Sequence, residues 1–147
     1  AGIVGTASAL ELAESERGWA REHCRKLSES LIRGVEEKIP LAHFNGHPTL
    51  SLPNNVNFSF EHIEGEPVLL GLDMRGIAAS SGSACTTASL EPSHVLLALG
   101  MSAEPAHGSL RLTLGKDNTS EEIDTLLTVL PDLVQRLRSM PSLLSER

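Results

Sequence analysis

The chain has 147 residues, 40% of them hydrophobic and 21% charged, which suits one globular domain with its own core. A formal charge of -7 and a pI near 5.3 argue against a nucleic-acid-binding surface or an anionic membrane surface, both of which need clustered Lys and Arg. No apolar run approaches the roughly 18 residues of a membrane span, and the two cysteines, Cys24 and Cys85, lie too far apart and in too large a chain for a disulfide framework.

The opening residues, AGIVGTASALELA, lack an initiator methionine and read as helix at once, so the chain is expected to begin inside a larger protein, one of the cytoplasm. From about Ile3 to Lys38 the pattern is helical, with Ala20, Cys24, Leu27, Leu31 and Val35 recurring at three- and four-residue intervals. Cys24 therefore sits on an apolar stripe and reads as a buried small hydrophobe. Pro40 ends the helix, and the stretch from Leu41 to Leu52, with Asn45-Gly46 and Pro48, predicts a short strand and a turn. Val56, Phe58 and Phe60 alternate with Asn57 and Ser59, the period of a strand with one face packed and one polar.

A short helix follows, with Pro67 at its first position, Val68, Leu69 and Leu72 on its apolar face and Gly76 at its stop. Ile77 to Ala79 reads as a brief strand. The run from Ser80 to Glu91 is small, hydroxylated and aperiodic, hence a loop. Pro92 opens another short helix, closed by Gly100, and Ser109 to Leu114 alternates three leucines with Ser109, Arg111 and Thr113 as a second strand does. Thr119 and Glu122 form a capping-box pattern before a terminal helix in which Pro131 should give a kink or a restart. The whole predicts an α+β fold, a small and mainly antiparallel sheet with helices packed on one face.

Two residues stand out as carriers of chemistry. Cys85 is a thiol in a loop of serine, glycine and alanine; it is either a plain loop cysteine or a nucleophilic or redox thiol. No Lys or Arg adjoins it, so any activation comes from a substrate, a cofactor or another part of the protein. Arg111 projects from the polar side of its strand, where a guanidinium can grip a carboxylate through two parallel hydrogen bonds or can serve as an ordinary surface charge. Of His43, His47, His62, His94 and His107, only His43 and His47 stand at HxxxH spacing, in a predicted strand and turn and not on a helix, and no metal site is expected.

The run SSGSACTTASLEPSHVLLALG, Ser80 to Gly100, resembles the active-site cysteine segment of group I cysteine desulfurases of the NifS/IscS type, within the class V aminotransferases. LPNNVNFSFEHIEGEPVLLGLDMRGIAASSGSAC before and through it, and AHGSLRLTLGKDNTSEEIDTLL after it, resemble the same family in the same order. The resemblance implies the C-terminal small domain, residues 1–147, of a fold-type I pyridoxal-phosphate transferase, with residues 1–38 as the helix linking it to the large domain. It implies that Cys85 takes sulfur from L-cysteine as a persulfide, leaving L-alanine, and that Arg111 grips the substrate carboxylate. It further implies a homodimer at full length and a sulfur-acceptor partner, either an iron–sulfur cluster scaffold or a tRNA-thiolation protein, with no role for nucleic acid or membrane.

The cofactor-binding lysine of that family belongs to the preceding large domain, and Lys26, Lys38 and Lys116 stand in other contexts. Gly108 and Lys116 depart from the serine and arginine common in the family at those places. The different-class alternative is a separate sulfur-carrier or docking domain without desulfurase activity. A selenocysteine lyase and a thiol hydrolase are further readings, the latter opposed by the lack of any base or oxyanion-hole context around Cys85.

Overall fold

The computed structural model describes residues 1–81 and 92–140; the run 82–91, which holds Cys85, and the tail 141–147 lie outside the described residues. In chain order the elements are α1 (Gly2–Lys38), β1 (Ala42–Phe44), β2 (Asn55–Phe60), α2 (Gly65–Asp73), α3 (His94–Ala98), α4 (Ala103–His107), β3 (Ser109–Thr113) and α5 (Ser120–Ser139). The three strands form one antiparallel sheet in the order β1-β2-β3.

The apolar alternation on β2 and β3 decides which face of the sheet is covered. Val56, Phe58 and Phe60 of β2 and Leu110, Leu112 and Leu114 in and just after β3 are buried. They form one cluster with Leu31 and Val35 of α1, Val68 and Leu72 of α2, and Leu130 and Val134 of α5. Burying each of these side chains contributes roughly 1.5–3 kcal/mol of hydrophobic stabilisation. Helix α5 packs against both α1 and α2. Glycines make those approaches close: a Cβ on Gly34 would strike the Leu127 side chain, and one on Gly71 would lie 2.5 Å from Leu133 Cδ1. Cys24 lies at the upper end of the α1 stripe, 5% exposed.

Two turns adopt positive φ without glycine, Leu41 at 57° and His62 at 64°, a conformation sparsely allowed for L-residues. One side chain secures both. Arg138, near the end of α5, donates to the carbonyl oxygens of Pro40 at 2.7 Å, Leu41 at 3.2 Å and Glu61 at 3.0 Å. Burial among these neutral carbonyls pulls its pKa below the ordinary arginine value, partly offset by the nearby Glu61 carboxylate.

Several sequence expectations need correction. The brief strand at Ile77–Ala79 is absent; instead Ser80 makes a single antiparallel bridge with Arg111. Pro67 is the third residue of α2, not the first, because the helix begins at Gly65, whose missing side chain lets it press on the Ser109 carbonyl. Helix α3 begins at His94, two residues after Pro92, and α4 was not expected. Helix α5 runs from Ser120 to Ser139 without restarting at Pro131. The expected capping box is present, with Glu122 N–H donating to Thr119 Oγ1 at 3.3 Å and Thr119 N–H donating to Glu122 Oε2 at 3.1 Å.

Candidate functional site

The face of the sheet opposite the core carries the side chains that the strand alternation leaves polar. Register sets them in rows: Asn55 faces Thr113, Asn57 faces Arg111 and Ser59 faces Ser109. On the other side of β2, His43 faces Ser59, and Asn45, the residue just after β1, donates its backbone N–H to the Asn57 carbonyl at 2.8 Å. Arg111 N–H donates to Ser80 O at 2.6 Å, and Ser80 N–H donates to Arg111 O at 3.0 Å. One row therefore crosses the whole sheet, Asn45, Asn57, Arg111, Ser80. Ser59 and Ser109 at one end of this face are buried, whereas Arg111, Asn55 and Thr113 are exposed.

Arg111 stands as the strand pattern predicts, its backbone N–H and C=O both bonded to Ser80, Asn57 opposite it on β2, and its side chain exposed between buried Leu110 and Leu112. Cys85 lies outside the described residues, but the chain leading to it does not. Ser80, five residues before it, is bonded to Arg111 itself. Met101, beyond the far end of the same segment, accepts a hydrogen bond on Sδ from the Ser59 hydroxyl at 3.5 Å. Both flanks of the run that holds Cys85 thus rest on the polar face that carries Arg111.

The strand bearing Arg111 is also tied to α1. After β3, His23 of α1 is 2.8 Å from the Asn118 carbonyl oxygen through Nε2, and Trp19 stacks on the His23 ring at 5.2 Å between centroids. Lys116 meets Glu16 at 2.7 Å. Gly108 needs its lack of side chain here: a Cβ would collide with the Phe60 carbonyl oxygen and lie 2.8 Å from that of Ile63.

Pyridoxal phosphate, the cofactor implied by the resemblance, requires a lysine amine for its aldehyde, and the three lysines of this chain do not fit that need. Lys26 is an exposed α1 residue beside Glu22, and Lys38 donates to a backbone carbonyl of α5. Lys116 is held charged, its pKa raised by the hydrogen bond and charge of Glu16. None adjoins Arg111 in the register. What this face offers among the described residues is one exposed guanidinium, Arg111, beside polar side chains. Among the described residues no group of three or more His, Cys, Asp and Glu side chains is placed to hold a metal ion, and no described helix is long and apolar enough to cross a membrane.

Sequence reasoning missed Asn45, Asn57 and Ser80 as members of this site. The alternation along β2 already assigned Asn57 to the polar side, but only the register brings it beside Arg111.

Comparison with known proteins gives a consistent family. Residues 1–126 match the family model "Aminotransferase class-V". A cysteine desulfurase IscS of Methanosarcina thermophila is 55% identical over 142 residues, 97% of this chain and 35% of that protein. Cysteine desulfurase IscS 1 of Archaeoglobus fulgidus is 51% identical over 141 residues, 96% of this chain and 37% of that protein. Among solved structures, a NifS-like protein superposes with a TM-score of 0.79 at 34% identity, covering 92% of this chain and 34% of its own. The chain spans about a third of the length of the curated relatives it matches.

Proposed function

The chain belongs to the aminotransferase class-V family, and on that premise we propose that it is the C-terminal small domain of a NifS/IscS-type cysteine desulfurase. In this reading α1 links it to a large domain that binds pyridoxal phosphate, the group that supplies the electron sink for the reaction. The overall change is L-cysteine plus a Cys85 thiol giving L-alanine plus a Cys85 persulfide, so one sulfur atom moves and no outside oxidant is needed. Arg111 receives the substrate carboxylate, a bidentate pairing that fixes orientation as well as adding affinity. Cys85 is the sulfur acceptor.

The observation that carries this reading is the Ser80–Arg111 bridge. It bonds Ser80, five residues before Cys85 in sequence, to Arg111, the arginine that this reading gives to the substrate carboxylate. The same proposal includes a homodimer at full length, a cytoplasmic setting and delivery of the persulfide sulfur to an iron–sulfur scaffold or a tRNA-thiolation protein. A stand-alone sulfur carrier is less well supported, because the relatives that match nearly the whole chain are desulfurases roughly three times its length.

The test uses the full-length polypeptide with its cofactor, treated with L-cysteine, and the mass of the peptide containing Cys85. The expected result is one added sulfur on that peptide with matching alanine, and neither in Cys85→Ala. Alanine and sulfur release by Cys85→Ala at the unsubstituted rate would overturn the role of the thiol.

A further inference from the structure

We propose that Asn57 supplies the second donor of the anion seat headed by Arg111, its carboxamide N–H groups binding the substrate carboxylate beside the guanidinium. This rests on the reading of Arg111 as the carboxylate grip and names a specificity residue that the arginine alone does not account for.

What matters is which way the Asn57 amide faces. Oxygen and nitrogen of a carboxamide are assigned from the hydrogen-bond network around them, and here Asn45 is placed as donor to both Asn57 and Ser59. The Ser59 hydroxyl has one proton, which it donates to Met101 Sδ. In its contact with the Asn45 amide at 2.8 Å, Ser59 Oγ accepts. The donor is Asn45 Nδ2, and the same nitrogen donates to Asn57 Oδ1 at 2.7 Å. Both protons of the Asn45 amide are thereby engaged, and the Asn57 oxygen is the atom turned toward β1.

Strand β2 lies between β1 and β3, and in a planar carboxamide the nitrogen diverges from the oxygen by about 120°. With Oδ1 engaged by Asn45, Nδ2 is the amide atom left free for the side of Arg111, the direct register partner of Asn57. Two donors of the same polarity then stand side by side across β2 and β3. A carboxylate, which only accepts and offers about four lone-pair sites, complements such a pair. Asn57 is half-buried, so its donors are less compensated by water than those of an exposed asparagine.

The test is steady-state kinetics on the full-length, cofactor-loaded protein, with L-alanine and cysteamine as competing probes; cysteamine lacks the carboxylate. Asn57→Ala and the near-isosteric Asn57→Asp are expected to raise KM for L-cysteine about tenfold or more, with kcat changed less than about threefold, as loss of a charge-assisted hydrogen bond predicts. L-alanine binding should weaken in parallel, while cysteamine binding holds. Asn45→Asp provides an independent variant that leaves Asn57 in place. With acceptors only at position 45, the Asn57 amide turns its nitrogen toward β1 and its oxygen toward Arg111, and KM should rise similarly.

A KM effect in Arg111→Ala with none in the Asn57 and Asn45 variants would overturn this inference and leave the Arg111 reading standing. No effect in any of them would remove both. Equal weakening of cysteamine would make Asn57 a structural residue and also overturn the inference. Should Asn57→Ala fail to fold, Asn57→Asp and Asn45→Asp decide the matter.

Discussion

Lys38, the last residue of α1, donates its ammonium to the Leu127 carbonyl oxygen at 3.3 Å, and Leu127 is the residue whose carbonyl loses its helical partner to Pro131. In an α-helix the N–H of residue 131 would bond that oxygen, but proline has none. The lysine fills the vacancy from another helix, and α5 continues to Ser139.

Lys38→Met keeps the apolar stem and removes the donor, so thermal and urea unfolding of the full-length protein should show a loss of about 1 kcal/mol. In a Pro131→Ala background, where a backbone N–H serves Leu127, the same change should cost less. Equal costs in the two backgrounds would show that the lysine does not act through this carbonyl.

Arg138 joins α5 to two turns of positive φ, and its three carbonyl partners lie on a planar fork that lysine cannot reproduce. Arg138→Ala should destabilise by about 2 kcal/mol, and Arg138→Lys should restore less than half of it. Hydrogen exchange at Glu61, whose N–H donates to Leu41 O at 3.1 Å, reports the local loss; unchanged protection there would refute the clamp.

Glu122 of the capping box has its pKa lowered from an ordinary value of 4.5, first by the Asn118 side-chain amide and then by the Thr119 backbone N–H. A carboxyl whose folded pKa is depressed binds its proton more weakly when folded than when unfolded. Its contribution is therefore present above the unfolded pKa and lost as pH falls through the folded one. Glu122→Gln should flatten the stability profile in that acid range while leaving its neutral-pH fold intact. An unaltered acid limb would show that the cap carbonyls and amides, not the charge, set this helix start.

Arg111→Lys keeps the charge and loses the fork. KM for L-cysteine in the full-length enzyme should rise about tenfold or more in Arg111→Ala, and most of that rise should remain in Arg111→Lys. Full recovery by lysine would mean that charge alone matters at this position.

Much of the fold was legible because its signals are local. The two-residue period placed Val56, Phe58 and Phe60 on one side and Arg111 on the other, and Thr119 with Glu122 marked the start of α5 within four residues. Helix α4 escaped because a five-residue helix containing Pro105 has no period to read. The persistence of α5 through Pro131 escaped because its support comes from Lys38, 89 residues from Leu127 in sequence. The candidate site divides the same way: Arg111 announces itself on its own strand, whereas the row from Asn45 through Asn57 to Ser80 exists only once register is set, and register is a property of pairs of distant segments.

The bridge from Ser80 to Arg111 also bears on how this sheet behaves in a crowd. Open strand margins are templates onto which other chains add strands. On one side the margin strand β1 is only three residues long. On the other, Ser80 occupies both main-chain groups of Arg111 at the middle of β3. A foreign strand would find too short a ledge on the first margin and an interrupted one on the second, so the sheet that displays Arg111 is poorly suited to seed aggregation.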